Sequence, residues 1–356
     1  MTDMLSAARS AIAVLFVGNL LIVCHELGHY LAARCFGVQA RRFTVGFGPR
    51  LARLTDRRGT VWSLCLLPLG GCISLAGERD GAPSGYAAWP VLARMAIVIA
   101  GPAANLIIAV AVFAAMLAIF GQPAFLPVCD TVVAGSAAEQ AGFQVGDRVM
   151  TMNAVPIAVF EDMRPGLRAN PGRTVAFTVE RGSTVVDLSA RLGTIQDGGK
   201  TIGLLGIGST TPSHQSLSGG QVLTGAVGKT WAALADSVTG IATVLTQGEG
   251  TENIAGVVGI AQLTGQAAEH GMAPLLALVA ILSANLALMN LIPIPILDGG
   301  VLLFCVIELA LRRPLSPRVQ DVSTRTGLAV LASLFVMTTL HDLDGMGLFR
   351  WLAQQL

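Results

Sequence analysis

Leu21-Ile22-Val23-Cys24-His25-Glu26-Leu27-Gly28-His29-Tyr30-Leu31 is the stretch from which the rest of the chain can be read. His25 and His29 stand four apart, so on a helix both imidazoles share one face, one turn apart. That is the bite needed by two nitrogen ligands of a tetrahedral Zn²⁺. Glu26 projects roughly 100° round the helix, too far to join the same ligand set but close enough to reach a water on the metal. Two buried histidines satisfied by backbone would share this spacing. The motif, however, grows out of an apolar run, Ala11 to Cys24, and three ionisable groups at membrane depth are costly unless they act.

Composition agrees with a membrane setting. Of 356 residues, 53% are hydrophobic and 13% charged, and the mean hydropathy is +0.66, values of the membrane class. A net charge of +1 without a basic stripe beside stacking aromatics argues against nucleic acid as a partner. The six cysteines show no C-x-x-C pair and no framework spacing, so no structural disulfide is expected. The N-terminal apolar run lacks a small-residue cleavage site and reads as a retained helix.

Working outward, 1–37 reads as the first transmembrane helix, carrying the two histidines. Residues 38–80 are neither helical nor clearly soluble. Runs such as Arg42-Phe43-Thr44-Val45-Gly46-Phe47, Thr60 to Leu67 and Gly70 to Leu75, tied by Gly/Pro turns, predict strands. They form a loop that dips into the membrane beside the metal site, where non-helical backbone must be buried or line a wet cavity. A second span occupies 88–121 and holds Gly101-Pro102 and a lone Asn105. Small residues for close helix contact are favoured there over a direct catalytic role. Arg34, Arg41, Arg42, Arg50, Arg53, Arg57, Arg58 and Arg79 lie between these spans, against Arg9 before them. The positive-inside rule puts that stretch in the cytoplasm and the N-terminus outside.

Residues 123–212 turn soluble in character. Strand-like runs at 128–133, 148–152, 174–179 and 184–188 surround Gly135 to Asp147, read as a short helix capped by Ser136 and closed by Gly142. The pattern resembles one PDZ domain, whose use would be to hold an extended peptide at a sheet edge. Within 213–273, Val222, Ala226, Trp231, Leu234, Val238, Ile241 and Leu245 recur at helical spacing. This predicts an amphipathic juxtamembrane helix along the outer surface or packed on the PDZ-like module. The third transmembrane segment, 274–312, breaks at Asn290-Leu291-Ile292-Pro293-Ile294-Pro295-Ile296-Leu297-Asp298-Gly299-Gly300. Asp298 is the only ionisable residue between His270 and Glu308, and an intramembrane carboxylate is a functional candidate. Residues 313–356 give a second basic loop and a fourth helix. Its apolar part, Thr326 to Leu340, is short for a span, which leaves four spans with three as the fallback.

Two histidines and a remote carboxylate leave one zinc position open, the arrangement of hydrolytic zinc. His25-Glu26-x-x-His29 and Asn290-x-x-Pro293-x-Pro295-x-Leu297-Asp298-Gly299-Gly300 together resemble the site-2 protease family of intramembrane zinc metalloproteases. The RseP-like branch, with a PDZ module between spans two and three, is most similar. Gly46-Phe47-Gly48-Pro49, Gly77-Glu78-Arg79-Asp80 and Gly101-Pro102-x-x-Asn105 add to the likeness. The resemblance implies that His25, His29 and Asp298 hold Zn²⁺ and that Glu26 is the general base. It implies that Asn290, and more weakly Asn285, hydrogen-bond the substrate backbone, and that the β-loop pairs with an unwound substrate. There are departures: room for one PDZ module where many relatives carry two, Val257 where proline is frequent, and Val301 after Gly300 where histidine is.

The expected architecture is thus a polytopic α-helical membrane protein of about four spans, with a membrane-dipping β-loop and an inserted extracytoplasmic PDZ-like β/α domain. The expected setting is a bacterial inner membrane with the module in the periplasm, the partners being the lipid bilayer and single-pass membrane protein substrates. The expected activity is cleavage inside transmembrane segments of proteins already trimmed outside, such as an anti-sigma factor or a remnant signal peptide. A membrane metal transporter would need neither Glu26 at its offset nor a PDZ-like module. A non-catalytic PDZ scaffold would not need the full donor set.

Overall fold

The computed structural model describes residues 2–76, 89–197, 200–247 and 256–345. It forms two compact units, one of residues up to 116 together with those from 223 onward, the other of 117–222.

In the first unit the chain starts with α1 (Thr2–Cys35), continues through β1 (Ala40–Thr55) and β2 (Val61–Leu75), and enters α2 (Val91–Phe120). The two long strands fold back on themselves. Residues 50–55 pair with 61–65, while 42–45 are flanked on one side by 61–64 and on the other by 71–74. The result is four rows, with 71–75 along one edge. Gly46 and Gly48, at φ +83° and +88°, supply the left-handed corners that fold β1 over. Tyr30 of α1 meets Trp62 and Phe43 edge-on at centroid distances of 5.1 and 5.8 Å. That aromatic cluster seats the sheet on the helix that carries both histidines. α1 and α2 approach closely because residue 28 is glycine. A Cβ there would run into the Ala100 carbonyl and Ala104.

The inserted unit opens with β3 (Gln122–Phe125), β4 (Thr131–Val132) and α3 (Ala137–Gln140). Next come β5 (Arg148–Met152), β6 (Val155–Pro156), α4 (Met163–Arg168), β7 (Thr174–Arg181) and β8 (Thr184–Arg191). It ends with β9 (Gly193–Asp197), β10 (Lys200–Leu204), β11 (Ile207–Gly208) and β12 (Pro212–Gln215). The main sheet runs β6-β5-β7-β8 over a core of Phe143, Val149, Val175, Phe177, Val179, Leu192 and Leu205. The sequence places β5, β7, β8 and α3 where they stand. Ser136 caps α3 by accepting from the Glu139 N–H at 3.3 Å, and Gly142 follows at φ +84°. β9 to β12 carried no readable signal. β12 closes the unit by pairing back on β3, Pro212 opposite Phe125 and Gln215 opposite Gln122.

The chain then runs through α5 (Gly219–Gln247), α6 (Val257–Glu269), α7 (Met272–Leu291), α8 (Asp298–Leu311) and α9 (Pro317–Gly345). α6 is a separate helix packed against α1, α7 and α9, where the sequence reading had a single amphipathic region. Its first turn is capped by a distant carboxylate, Asp342 of α9, which accepts from the N–H groups of Gly256 and Gly259 at 3.0 and 2.9 Å. Val257 opens this helix, the position at which proline is well tolerated. Between α7 and α8 the helix breaks over 292–297, with Ile296 forced to φ +108°. For a β-branched residue that backbone is strained by roughly 1–3 kcal/mol and must be held by its surroundings. Gly299, Gly300 and Gly327 do so: each lies so close to the backbone of 291–295 that a Cβ would collide. Arg94 of α2 and Glu308 of α8, an ion pair at 2.5 Å, tie these two helices together.

Among the described residues, four helices are long and apolar enough to cross a membrane: Ile12–Cys35, Val91–Phe120, Met272–Leu291 and Pro317–Asp344. The fourth is 28 residues long, so four spans and not three fit the chain. Ile12, Phe16, Leu92, Ile107 and Ile119 are each about two-thirds exposed on these helices, as lipid-facing side chains are.

Candidate metal centre

The i, i+4 spacing on α1 brings the His25 and His29 rings to 4.7 Å between centroids, with their Nε2 atoms 3.1 Å apart. The break before α8 puts Asp298 at the first position of that helix and swings its carboxylate onto the pair. Oδ2 lies 3.0 Å from His25 Nε2 and 3.4 Å from His29 Nε2. A tetrahedral ion with bonds of about 2.1 Å has ligand–ligand edges of about 3.4 Å, so this triangle has the right size for zinc. Asp298 Oδ2 is buried and takes no well-directed hydrogen bond, as expected if the three donors aim at a shared point and not at one another. Among the described residues this is the one group of three metal-type donors.

The far nitrogens of both rings are also held. His29 Nδ1 donates to the carbonyl of Ile97 at 2.8 Å, which leaves Nε2 with its lone pair. His25 Nδ1 faces the Asn105 side-chain amide at 3.3 Å. Both partners come from α2, close to Pro102, which removes one rung of the helix ladder. Gly101 is there for space: a Cβ would strike both imidazoles. Gly101-Pro102-x-x-Asn105 thus serves close helix contact, the role the sequence favours over a direct catalytic one, and it also meets both imidazoles. Asn105 is wholly buried, and its backbone carbonyl accepts from Ser283 of α7 at 2.8 Å.

Glu26 faces the sheet. Its Oε2 accepts from the backbone N–H of Ile73 at 2.9 Å, a group on the edge row 71–75. Glu26, both histidines, Asp298 and Asn290 line one cavity of about 490 Å³, with Cys72, Ile73 and Leu75 on its sheet side. Of the sequence candidates, five are thus brought together. Asn285 is not among the lining residues; its Oδ1 accepts from Ser237 of α5 at 2.6 Å. Ile73 N–H and the Ile97 carbonyl could not be found by inspection, because backbone groups carry no residue-type signal. Gly77-Glu78-Arg79-Asp80 lies outside the described residues.

The family model of peptidase family M50 matches residues 11–334. The chain belongs to that family, the site-2 proteases. Relatives from Rhizobium meliloti and Agrobacterium fabrum, both provisionally named zinc metalloproteases, are 34% and 33% identical, each over 93% of this chain and 95% of the relative. Metalloprotease MmpA of Caulobacter vibrioides is 30% identical over 96% of this chain and 97% of its own length. Like its family, this M50 peptidase is a zinc-dependent metalloprotease of the membrane.

Proposed function

We propose that this peptidase hydrolyses peptide bonds inside the transmembrane segments of single-pass membrane proteins, with His25, His29 and Asp298 as the zinc ligands and Glu26 as general base. The observation that carries the reading is the donor triangle of α1 and α8 sharing one cavity with Glu26, in a unit whose helices are apolar enough to cross a bilayer. Zinc held there supplies Lewis acidity toward the scissile carbonyl and the attacking water.

The protein groups do the rest. Glu26 takes the proton from the attacking water as its oxygen bonds to the carbonyl carbon, then delivers it to the leaving nitrogen as the C–N bond breaks. Ile73 N–H keeps the Glu26 carboxylate turned to the cavity. Asn290 is assigned to a substrate backbone group, and the edge row 71–75 to pairing with an unwound substrate strand. A peptide bond in a helix is shielded by its own hydrogen bonds, and that pairing offers replacements.

On this reading the membrane is a bacterial inner membrane and the sheet dips into it from the cytoplasmic side, the side that the arginines between the first two spans favour. The unit of 117–222, on this reading a PDZ module, is then periplasmic and screens substrates trimmed outside, as in regulated intramembrane proteolysis of an anti-sigma factor or a remnant signal peptide. The test is a tagged single-pass protein incubated with the purified enzyme in lipid. Cleavage within its span that stops on zinc chelation and returns with added zinc supports the reading. Cleavage confined to extramembrane segments overturns it.

A further inference from the structure

The sheet carries a surface that catalysis does not use. Arg50, Arg53, Arg57 and Arg58 are all exposed on or between the paired rows 50–55 and 61–65. Among the described residues, none of the four has a carboxylate within ion-pair distance. Asp56, the only acidic residue between Val38 and Leu75, is turned inward. It accepts from the N–H groups of Arg58 and Thr60 at 2.8 and 3.0 Å and from Tyr30 Oη at 3.1 Å. Its charge is directed to the turn and the helix, and among the described residues the four guanidinium groups have no carboxylate partner.

Exposed apolar side chains stand on both faces of this hairpin, while Arg53, opposite Ser63, and Arg50, opposite Cys65, share one of them. Leu54 pairs with Trp62 and Leu64 with Ala52, so Leu54 and Leu64 share the Trp62 face, where they are 70% and 48% exposed. Leu67, 49% exposed, falls on the opposite face by alternation. Docking against a folded partner would cover one face and leave the other in water. A surface layer of headgroups and acyl chains covers both. Guanidinium forks match phosphate oxygens in pairs, and arginine stems can lie along the apolar layer while their heads reach the phosphates.

We propose that this hairpin, residues 48–67, is a binding site for anionic phospholipids, with its four arginines on headgroup phosphates and its leucines in the acyl layer. Each basic residue near an anionic surface contributes roughly a fivefold preference, so four together give a large one even after losses. The test is lipid retention by the full chain, exchanged into vesicles of phosphatidylglycerol and phosphatidylcholine in equal amounts and then analysed by native mass spectrometry. Wild type is expected to retain phosphatidylglycerol in excess. The Arg50→Gln/Arg53→Gln/Arg57→Gln/Arg58→Gln variant should lose that excess by at least about tenfold, and the corresponding four-lysine variant should keep most of it. Equal enrichment in wild type and the glutamine variant overturns the proposal. So does an equal loss in a control with Arg312, Arg313 and Arg318 changed to Gln, or an acidic polypeptide that co-purifies in place of lipid. Zinc content checks that the variants are folded. On wild type alone, raising salt from about 0.05 to about 0.5 M must weaken the enrichment, and a salt-insensitive excess also sinks the idea. The readout needs no cleavage, so its failure is distinct from failure of the protease reading.

Discussion

The side-chain amide of Asn105 ends 3.3 Å from Nδ1 of His25, a residue 80 positions earlier in the chain. In this arrangement Nδ2 faces the ring, while Oδ1 is buried with no partner. A histidine that offers Nε2 to a metal carries its proton on Nδ1 and needs an acceptor there. Rotating the amide by 180° supplies one and is nearly isosteric. Asn105→Leu should therefore lower zinc affinity by about 10–100-fold, whereas Asn105→Asp, which keeps an acceptor, should retain most of it. Competition titration with a chelator measures both, and unchanged affinity in the leucine variant would show that Asn105 only packs.

Glu26→Gln should keep zinc near one equivalent and reduce cleavage at least about a hundredfold, because an amide cannot take a proton from the attacking water. The carbonyl of the introduced amide can still accept from Ile73 N–H, so the sheet contact is preserved. Metal analysis and cleavage are measured on the same preparation. Zinc loss parallel to the activity loss would move Glu26 from the chemistry into the ligand set.

Asp298→Ala leaves two nitrogen donors, and zinc content should fall together with activity. Gly101→Ala should do the same from the other side, since its Cβ occupies the space of both imidazoles. If zinc stays stoichiometric in Asp298→Ala while cleavage stops, Asp298 is not a ligand.

How far the sequence carried depended on where each partner sits. His25 and His29 were legible because a helix turn converts spacing into geometry. Asp298 was legible because a lone carboxylate beside two prolines and two glycines has few structural reasons to be there. Asn105 was not, because its partner lies on another helix and one polar side chain in a span equally suits packing. α6 was hidden because Val257–Glu269 mixes small, apolar and polar residues and is set by contact with α1 and by the Asp342 cap, both remote in sequence. In α9, Arg318, Asp321 and Arg325 in the first turns concealed its length, although Arg325 pairs with Asp321 at 2.9 Å along the helix.

In the inserted unit, Asp147 gives a pH dependence independent of the metal. Burial works to raise its carboxyl, but bidentate donation from Arg181 at 2.7 and 2.8 Å and the Gln144 N–H at 2.9 Å outweigh it and hold it below the usual carboxylate range. A carboxylate depressed in the native state stabilises above its unfolded pKa of about 3.9 and loses that contribution as pH falls through the lower native value. Protection of residues 143–181 from hydrogen exchange, corrected for intrinsic rate, should thus hold above about pH 4 and drop below it. Asp147→Asn should lower it at neutral pH, because Arg181 and the Gln144 N–H lose their charged acceptor. An Asn variant with the wild-type acid profile would remove Asp147 as the cause.

The inserted unit should act on substrate choice and not on chemistry. Every residue assigned to the metal centre lies in α1, α2, β2, α7 or α8, and the inserted unit's one histidine, His214 on β12, is not among them. Phe125 and Pro212 stand opposite each other in the β3–β12 pair, so 126–211 can be replaced by a short turn with the flanking strands still joined. We expect the shortened enzyme to cleave a pre-trimmed substrate at close to the full-length rate and to gain cleavage of the untrimmed one. Active recruitment of a new C-terminus by a sheet edge gives the opposite pattern: slower cleavage of the trimmed substrate and none of the intact one. Parallel time courses on both substrates, with zinc content matched between the two enzymes, separate these outcomes. The filter reading fails if the intact substrate stays uncut while the trimmed one slows.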